Sequence, residues 1–271
     1  FFLASMNVTE SATVVSMDAM QVYRGMDIGT AKVDAETRAR IPHRCIDIRN
    51  PDEDFSAADF VVEANAAIES GGPVILCGGT PFYLRAFLLG LVPAPPVNLE
   101  LRQQFEALDN PHQALHEVDP VLATRLHPND KVRIIRGLEF YAASGQRLSE
   151  MHDADPQTRR DCEVIWIDAE DIYARIDHRV LDMMAAGYLS EVQRLLDAGY
   201  SRALKPMQSL GYKHLAAHLL DGLELGEAVR LTQRDTRHFA KKQRTFLRGL
   251  GFSPGGDPIR AARLAFTPVS R

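Results

Sequence analysis

Val14 to Lys32 reads VVSMDAMQVYRGMDIGTAK, a short apolar run that ends in Ser16 and Asp18 and passes into a loop punctuated by Gly25 and Gly29. Val14, Val15 and Met17 fit a strand covered on both faces, and the glycines mark the turns that follow it. In open parallel sheets, ligands sit beyond the carboxyl ends of the strands, which puts Asp18 where chemistry is done. A strand-end Asp taken alone reads more readily as the cap of a turn or helix. The remainder of the chain decides between the two.

Upstream, FFLAS reads as one strand and TVVSM as the next, with only Met6 to Ala12 between them. A parallel crossover with its helix needs roughly 10–12 residues or more, so this link is too short to be a complete connection. No G-x-x-x-x-G-K-[ST] phosphate loop occurs anywhere in the sequence. Downstream, Pro42 to Asp47 (PHRCID) predicts a third short strand and Asn50 to Asp54 a polar turn. Ser56 and Asp59 then form a capping box for a helix from Ala57 to Ser70, with Phe60, Val61, Ala64 and Ile68 as its buried face and Gly71 and Gly72 as its stop. Val74 to Cys77 (VILC) is a further buried strand, running into Gly78, Gly79 and Thr80 and a helix opened by Pro81. Exposed backbone amides at such a start suit an anion or a nucleotide in close approach. Tyr83 and Leu84 read as core.

Leu91 to Val97 (LVPAPPV) is a proline-rich hinge, after which the pattern turns helical with breaks at Asn110-Pro111, Asp119-Pro120 and His127-Pro128. The expected organisation is a core α/β domain over 1–96, a helical insertion over 97–160, and a second part of the core over 161–271. His112 with His116, and His214 with His218, have a spacing that can bind metal, but no third ligand is nearby; surface histidines are the better reading, and no residue is assigned to a metal. Asn129 caps a helix that runs to Ala143 and stops at Gly145. Glu163 to Asp168 (EVIWID) reads as a return to the sheet. Ile172 to Ala198 follows as one or two amphipathic helices around Gly187, with Tyr173, Ile176, Val180 and Met183 in the core.

The chain has 271 residues, 45% of them apolar, enough to bury a full core as one large domain or two modest ones. No apolar run approaches the ~20 residues that span a bilayer, and FFLAS lacks the basic flank of a secretory signal, so the cytoplasm is the expected compartment. Cys45, Cys77 and Cys162 are widely spaced and form no C-x-x-C pair, which argues against a disulfide framework or a zinc site. A formal charge of −5 argues against a protein that holds nucleic acid through its global field. Any RNA contact must come from local patches, and Arg230 to Arg248 is one: Arg230, Arg234, Arg237, Lys241, Lys242, Arg244 and Arg248 stand against Asp235 alone, with Phe239 and Phe246 available to pack or stack.

Several of these segments carry a longer signature. DAMQVYRGMDIGTAK, GGTPFYLRA, HPNDKVRIIRGLEFYAASGQRLSE, MQSLGYK and the closing AKKQRTFLR closely resemble, in the same order, blocks of the tRNA dimethylallyltransferase (tRNA isopentenyltransferase) family, and PHRCID followed by SAADF matches it too. The resemblance runs from about Val14 to Arg248. It implies a P-loop NTPase-like parallel sheet flanked by helices with a small helical insertion domain. It also implies a phosphate-binding loop and helix between the FFLAS and TVVSM strands. The expectation is that this segment is missing from the chain at a join near Ser5 and Met6; the alternative is a truncated, inactive protein.

The implied activity is transfer of a dimethylallyl group from its diphosphate to N6 of the adenosine that follows a tRNA anticodon, with Mg²⁺ to neutralise the diphosphate, in a monomer that has no membrane partner. By resemblance Asp18 is the general base, and Asp18, Ala19, Met20, Gln21 and Thr80 lie against the tRNA. Val132, Arg133, Ile134 and Arg136 form a second tRNA-contacting group, and His238, Phe239, Ala240, Lys241, Lys242 and Gln243 a third. Lys213 is a candidate for the diphosphate. Val132 stands where the family pattern has Gln, Phe246 where it has Trp, and Gln208 where some members have Arg. Two other readings compete: a P-loop kinase acting on a small metabolite, which would need neither the Arg133–Arg136 helix nor the basic carboxyl-terminal helix, and a non-catalytic tRNA-binding remnant.

Overall fold

The computed structural model of the chain describes residues 12–93, 95, 98–154, 160 and 162–255. The expected FFLAS strand lies outside them. Two compact units emerge, one drawn from 1–88 and 161–271, the other Leu89–Arg160. The division thus falls at the end of a helix, just ahead of the proline-rich hinge.

In the first unit, β1 (Thr13–Ser16) is buried along Val14, Val15 and Ser16 and is paired along both edges. The chain leaves it through the signature loop and enters α1 (Ala35–Arg40), a helix not anticipated from the sequence, whose N-cap Asp34 accepts the Thr37 amide hydrogen at 2.7 Å. β2 (His43–Arg44) is shorter than the PHRCID segment. Cys45 and Asp47 sit at φ 59° and 55°, a left-handed backbone that cannot continue a ladder. Their neighbours fold back instead: the Asp47 and Ile48 amides donate to the Gln21 and Val22 carbonyls at 3.2 and 2.9 Å.

Reciprocal hydrogen bonds between Ser56 and Asp59 open α2 (Ala57–Glu69). Its buried stripe is Ala57, Phe60, Ala64 and Ala67; Ile68, expected inside, is 45% exposed because it lies one position round from that stripe. β3 (Val74–Cys77) pairs with β1 in parallel from Thr13↔Val74 to Ser16↔Cys77, giving a sheet of order β2-β1-β3, and leads into α3 (Pro81–Leu89). Tyr83 and Leu84 are buried.

The Leu89–Arg160 unit is helical: α4 (Leu99–Glu106), α5 (Pro111–Val118), α6 (Pro120–Arg125), α7 (Lys131–Ser144) and α8 (Leu148–Ala154). Prolines open α5 and α6, where a missing N–H costs nothing. Asp130, not Asn129, caps α7, and Gly145 ends it at φ 69°. Leu115, Leu122, Ala123, Ile134 and Leu138 form one core cluster. Gly137 lets α7 close on its neighbours, since a Cβ there would lie 2.8 Å from the side chains of Leu115 and Leu122. His112 is tied inward, its ring nitrogen 3.0 Å from the Ala123 carbonyl.

The first unit resumes with an irregular stretch. EVIWID, expected as a strand, forms none; the Trp166 carbonyl accepts from the Gly255 amide at 2.9 Å instead of joining the sheet ladder. α9 (Ile172–Ala185) and α10 (Tyr188–Asp197) are separated by Gly187 at φ 99°, and a short 3₁₀ turn at Pro206–Gln208 precedes α11 (Tyr212–Asp221) and the long α12 (Leu225–Gly249). Ile176 and Val180 are buried as expected, whereas Tyr173 is 44% exposed with the Arg244 guanidinium 6.0 Å from its ring centroid. Among the described residues no helix is long and apolar enough to cross a membrane.

Candidate active site

The carboxyl end of β1 is wrapped by the turn that follows β3. The Met17 amide donates to the Cys77 carbonyl at 2.8 Å, and the Thr80 amide donates to the Met17 carbonyl at 3.1 Å. Only glycine fits at position 78, because a Cβ there would lie 2.4 Å from the Met17 carbonyl carbon and oxygen. The Thr80 hydroxyl accepts the Ala19 amide hydrogen at 3.0 Å, so Thr80 fixes the backbone just beyond Asp18. The Asp18 carboxylate accepts the Met20 amide hydrogen at 2.8 Å.

Burial pushes the Asp18 carboxyl above its ordinary pKa, against the smaller opposing pull of the Met20 and Gln21 amides and the charge of Arg179. A half-buried carboxylate tuned upward in this way is a better proton acceptor than a solvated one. Beside it the Ser16 hydroxyl donates to Gln21 Oε1 at 2.8 Å, while Gln21 Nε2 donates to the Thr30 carbonyl at 3.1 Å. The Gln21 carboxamide is therefore fixed at both ends.

α12 reaches the same place through Gln243, whose side-chain amide donates to the Gly79 carbonyl. The structure thus brings together Asp18, Ala19, Met20, Gln21, Thr80 and Gln243. Further along α12, His238, Lys241, Lys242, Thr245 and Phe246 line one shallow open cleft, with Phe239 exposed and Ala240 half-buried. The basic face is narrower than the sequence suggests. Arg230 pairs with Glu227, Arg234 with Asp235, Arg237 with Asp177 and Arg244 with Asp168, while Arg248 lies 5.9 Å from the Trp166 ring centroid. Lys241 and Lys242 remain exposed at the cleft.

Lys213 is not brought to Asp18 by any hydrogen bond described. Its Nζ lies 2.8 Å from Asp235, which also receives His214 at 3.0 Å and Arg234 at 2.8 Å. Burial alone would raise the Asp235 carboxyl, but the hydrogen bonds from Lys213, Arg234 and His214 outweigh it and hold the group well below the usual carboxylate range.

In the helical unit, Val132 is 81% exposed, and Arg133 is exposed with Nη1 3.0 Å from Asp130. Arg136 is half-buried, donating to the Pro95 carbonyl at 3.1 Å and lying 3.5 Å from the buried Glu139. Ile134 is 1% exposed, so its side chain belongs to the core of its own unit and is not offered at the surface with Val132 and Arg133.

The sequence reading missed Glu191, which the structure places under the signature loop. Its Oε2 accepts the amide hydrogens of Asp27 and Ile28 at 2.8 and 2.7 Å, and its Oε1 that of Gly29 at 3.1 Å. A signal was available: Glu191 shares one face of α10 with Tyr188, Val192 and Leu195, and a carboxylate within an apolar stripe needs a partner.

A half-buried carboxylate at the end of the central parallel strand, framed by a glycine turn and a basic helix, is the arrangement found in α/β enzymes, where ligands sit beyond the strand ends. A protein-family model described as IPP transferase matches residues 21–250. A tRNA dimethylallyltransferase 1 of Citrifermentans bemidjiense is 45% identical over 243 residues, covering 86% of this chain and 79% of the relative. A tRNA dimethylallyltransferase of Geobacter sulfurreducens is 45% identical over 249 residues, covering 87% and 80%.

Among solved structures, a tRNA isopentenylpyrophosphate transferase of Staphylococcus epidermidis superposes with a TM-score of 0.63 at 30% identity over 93% of this chain and 87% of that one. A eukaryotic dimethylallyltransferase described as acting on tRNA gives a TM-score of 0.76 at 27% identity over 90% of this chain and 64% of that one. The chain belongs to the IPP transferase family.

Proposed function

We propose that this protein is a tRNA dimethylallyltransferase, which moves the dimethylallyl group of dimethylallyl diphosphate onto N6 of the adenosine following the anticodon, as a monomer in the cytoplasm. The observation that carries the reading is Asp18, held at the end of β1 by Thr80 and tuned upward by burial, in a chain whose relatives bear that activity in their names. Neutral adenine N6 is a poor nucleophile. As it attacks the allylic carbon, the carbon–oxygen bond to diphosphate breaks, the diphosphate leaves with the electron pair, and the N6 proton passes to the Asp18 carboxylate. A raised pKa makes that carboxylate the stronger acceptor once it is ionised.

Mg²⁺ keeps much of its water and can be held chiefly by the substrate phosphates, which leaves the Asp18 carboxylate for the proton. Bound to the diphosphate, the ion would neutralise the charge of the leaving group. The adenosine must leave its stack to reach the strand end, which is cheaper from an unpaired loop than from a duplex. Lys241 and Lys242 on α12, and Arg133 on α7, are exposed cations suited to the tRNA backbone.

The test uses the purified protein, radiolabelled dimethylallyl diphosphate and tRNA. Asp18→Asn is expected to lose about 10²–10⁴-fold in transfer while retaining tRNA binding, the span of a general base. Undiminished transfer by the variant would sink the assignment. ATP-dependent phosphorylation of a small metabolite without any tRNA prenylation would establish the competing kinase reading.

A further inference from the structure

Glu191 is 1% exposed on a face it shares with Tyr188, Val192 and Leu195, yet among the described residues its hydrogen-bond partners are amides and a hydroxyl, not cations. Its carboxylate is satisfied by three successive amides of the signature loop, those of Asp27, Ile28 and Gly29, and by the Tyr212 hydroxyl at 2.6 Å. A buried carboxylate is tolerated only while such donors stay in place, so the side chain and the loop conformation require each other. The loop is pinned on its other sides as well. A Cβ at Gly29 would lie 2.2 Å from the Tyr188 ring, and one at Gly211 2.4 Å from the Tyr188 hydroxyl oxygen. Lys32 Nζ reaches the Tyr23 carbonyl at 2.7 Å, Asp27 at 2.7 Å and Asp47 at 2.6 Å.

The loop passes this order on. Its Thr30 carbonyl accepts the Gln21 amide at 3.1 Å, and the other end of that carboxamide takes the Ser16 hydroxyl at 2.8 Å, two residues before Asp18. We propose that Glu191 is a positioning residue for RNA engagement: by clamping the 27–31 loop from beneath, it presets Gln21 and the backbone around Asp18 before the tRNA arrives. The proposal rests on the reading that Gln21 and its neighbours meet tRNA. A preformed loop saves ordering entropy at binding, so losing the clamp falls on affinity more than on the chemical step.

Glu191→Gln keeps the size of the side chain but replaces one acceptor oxygen with a donor facing other donors. In the full chain it is expected to speed exchange of the Asp27, Ile28 and Gly29 amides about tenfold or more, leave the Val14 and Val15 amides protected, raise KM for tRNA about tenfold and hold kcat within about twofold, the scale of one or two hydrogen bonds to a charged group. Gly29→Ala, which pushes the loop off Tyr188 with Glu191 intact, is expected to raise KM likewise. Tyr212→Phe, which removes a donor from outside the loop, is expected to lower Tm and leave KM unchanged.

A fall in Tm with KM unaltered in both Glu191→Gln and Gly29→Ala would overturn the proposal and leave Glu191 a structural residue; if Glu191→Gln does not fold, Gly29→Ala decides alone. A wild-type protein that prenylates no tRNA would overturn the proposed function instead. Amide exchange, together with tRNA retention on filters, would still decide the role of Glu191.

Discussion

Gln243 on α12 donates its side-chain amide to the carbonyl of Gly79, 164 residues earlier in the chain. One hydrogen bond thereby couples the basic helix to the turn that holds Thr80 and, through Thr80, the Ala19 amide. Glycine at 79 keeps room for it, since a Cβ there would stand 2.7 Å from Gln243 Nε2.

Gln243→Ala should therefore act at a distance from Asp18. Loss of one neutral hydrogen bond is worth about 1 kcal/mol, or roughly a fivefold fall in kcat/KM, with a small change in Tm. Steady-state kinetics with tRNA as the varied substrate measures it. An unchanged kcat/KM would mean that Met17 and Ala19 hold the turn without help from α12.

Asp18 should show itself in the pH dependence of both activity and stability. Its folded carboxyl is raised by burial above the ordinary value near ~3.9. Catalysis needs the ionised form, so the acid limb of kcat/KM is expected above the range of a solvated Asp. For stability the sign is opposite to that of a salt-bridged carboxylate. Below both pKa values neither state gains; as pH rises, the unfolded chain ionises first and folding loses free energy until the folded group ionises too. That penalty persists at neutral pH. Asp18→Asn is therefore expected to have a higher Tm than wild type at pH 7, with the difference shrinking below pH ~4. A lower Tm at pH 7 would show that the amide bonds to Asp18, not its burial, dominate.

The seven basic residues of α12 should separate into two groups. Arg237 pairs with Asp177 and Arg244 with Asp168, both from the segment around α9, so their removal should lower Tm and scarcely alter the salt dependence of tRNA binding. Lys241→Ala and Lys242→Ala should do the reverse, each flattening the slope of log K against log[salt] by about 0.7–0.9 if it neutralises one phosphate. Titrations at several salt concentrations, beside thermal melts, distinguish the groups. Equal effects from Arg237→Ala and Lys241→Ala would refute the division.

The same division shows what the sequence could and could not reveal. Strand β1, the Ser56 capping box, the Gly145 stop and the helical character of the insertion are local decisions, made by apolar runs, caps and glycines within a few residues of one another. EVIWID has the composition of a strand, but composition does not specify whether a sheet edge receives it, and its Trp166 carbonyl is taken by Gly255. PHRCID is cut short by positive φ at two non-glycine residues, Cys45 and Asp47, which no propensity would foretell. At the site, Asp18 and Thr80 were singled out only by the family wording around them, because a strand-end Asp or a Gly-Gly-Thr turn taken alone reads as structural. Which cations of α12 stay open was not legible, since Asp177 and Asp168, the partners of Arg237 and Arg244, lie 60 and 76 residues away. The buried side chain of Ile134 beside exposed Val132 and Arg133 has a local cause: neighbours in a motif take opposite faces of a helix.

The helical unit carries its own titratable anchor, and it answers to acid in the usual direction. Asp119 is buried, caps α6 through the Leu122 amide at 3.0 Å, and accepts from the Ser149 amide and hydroxyl at 2.9 and 2.6 Å. Burial by itself would raise its carboxyl, but the bonds from Ser149 and Leu122 prevail and hold it below the usual range. Above the ordinary value near ~3.9 both states are ionised and the full contribution is present; as pH falls from there through the depressed folded value, the unfolded chain takes up its proton first and the contribution drains away.

Asp119→Ala removes the cap and both Ser149 bonds together, an expected loss of about 2–4 kcal/mol at neutral pH. The single tryptophan, Trp166, belongs to the other unit and so does not report on the fold of this one. Hydrogen exchange at the Leu122 and Ile134 amides is the appropriate readout. Wild type should lose protection there between pH ~4 and lower values, and the variant should be weakly protected throughout. A variant protected as well as wild type at pH 7 would place the hold on α6 and α8 in the apolar cluster around Leu115 rather than in Asp119.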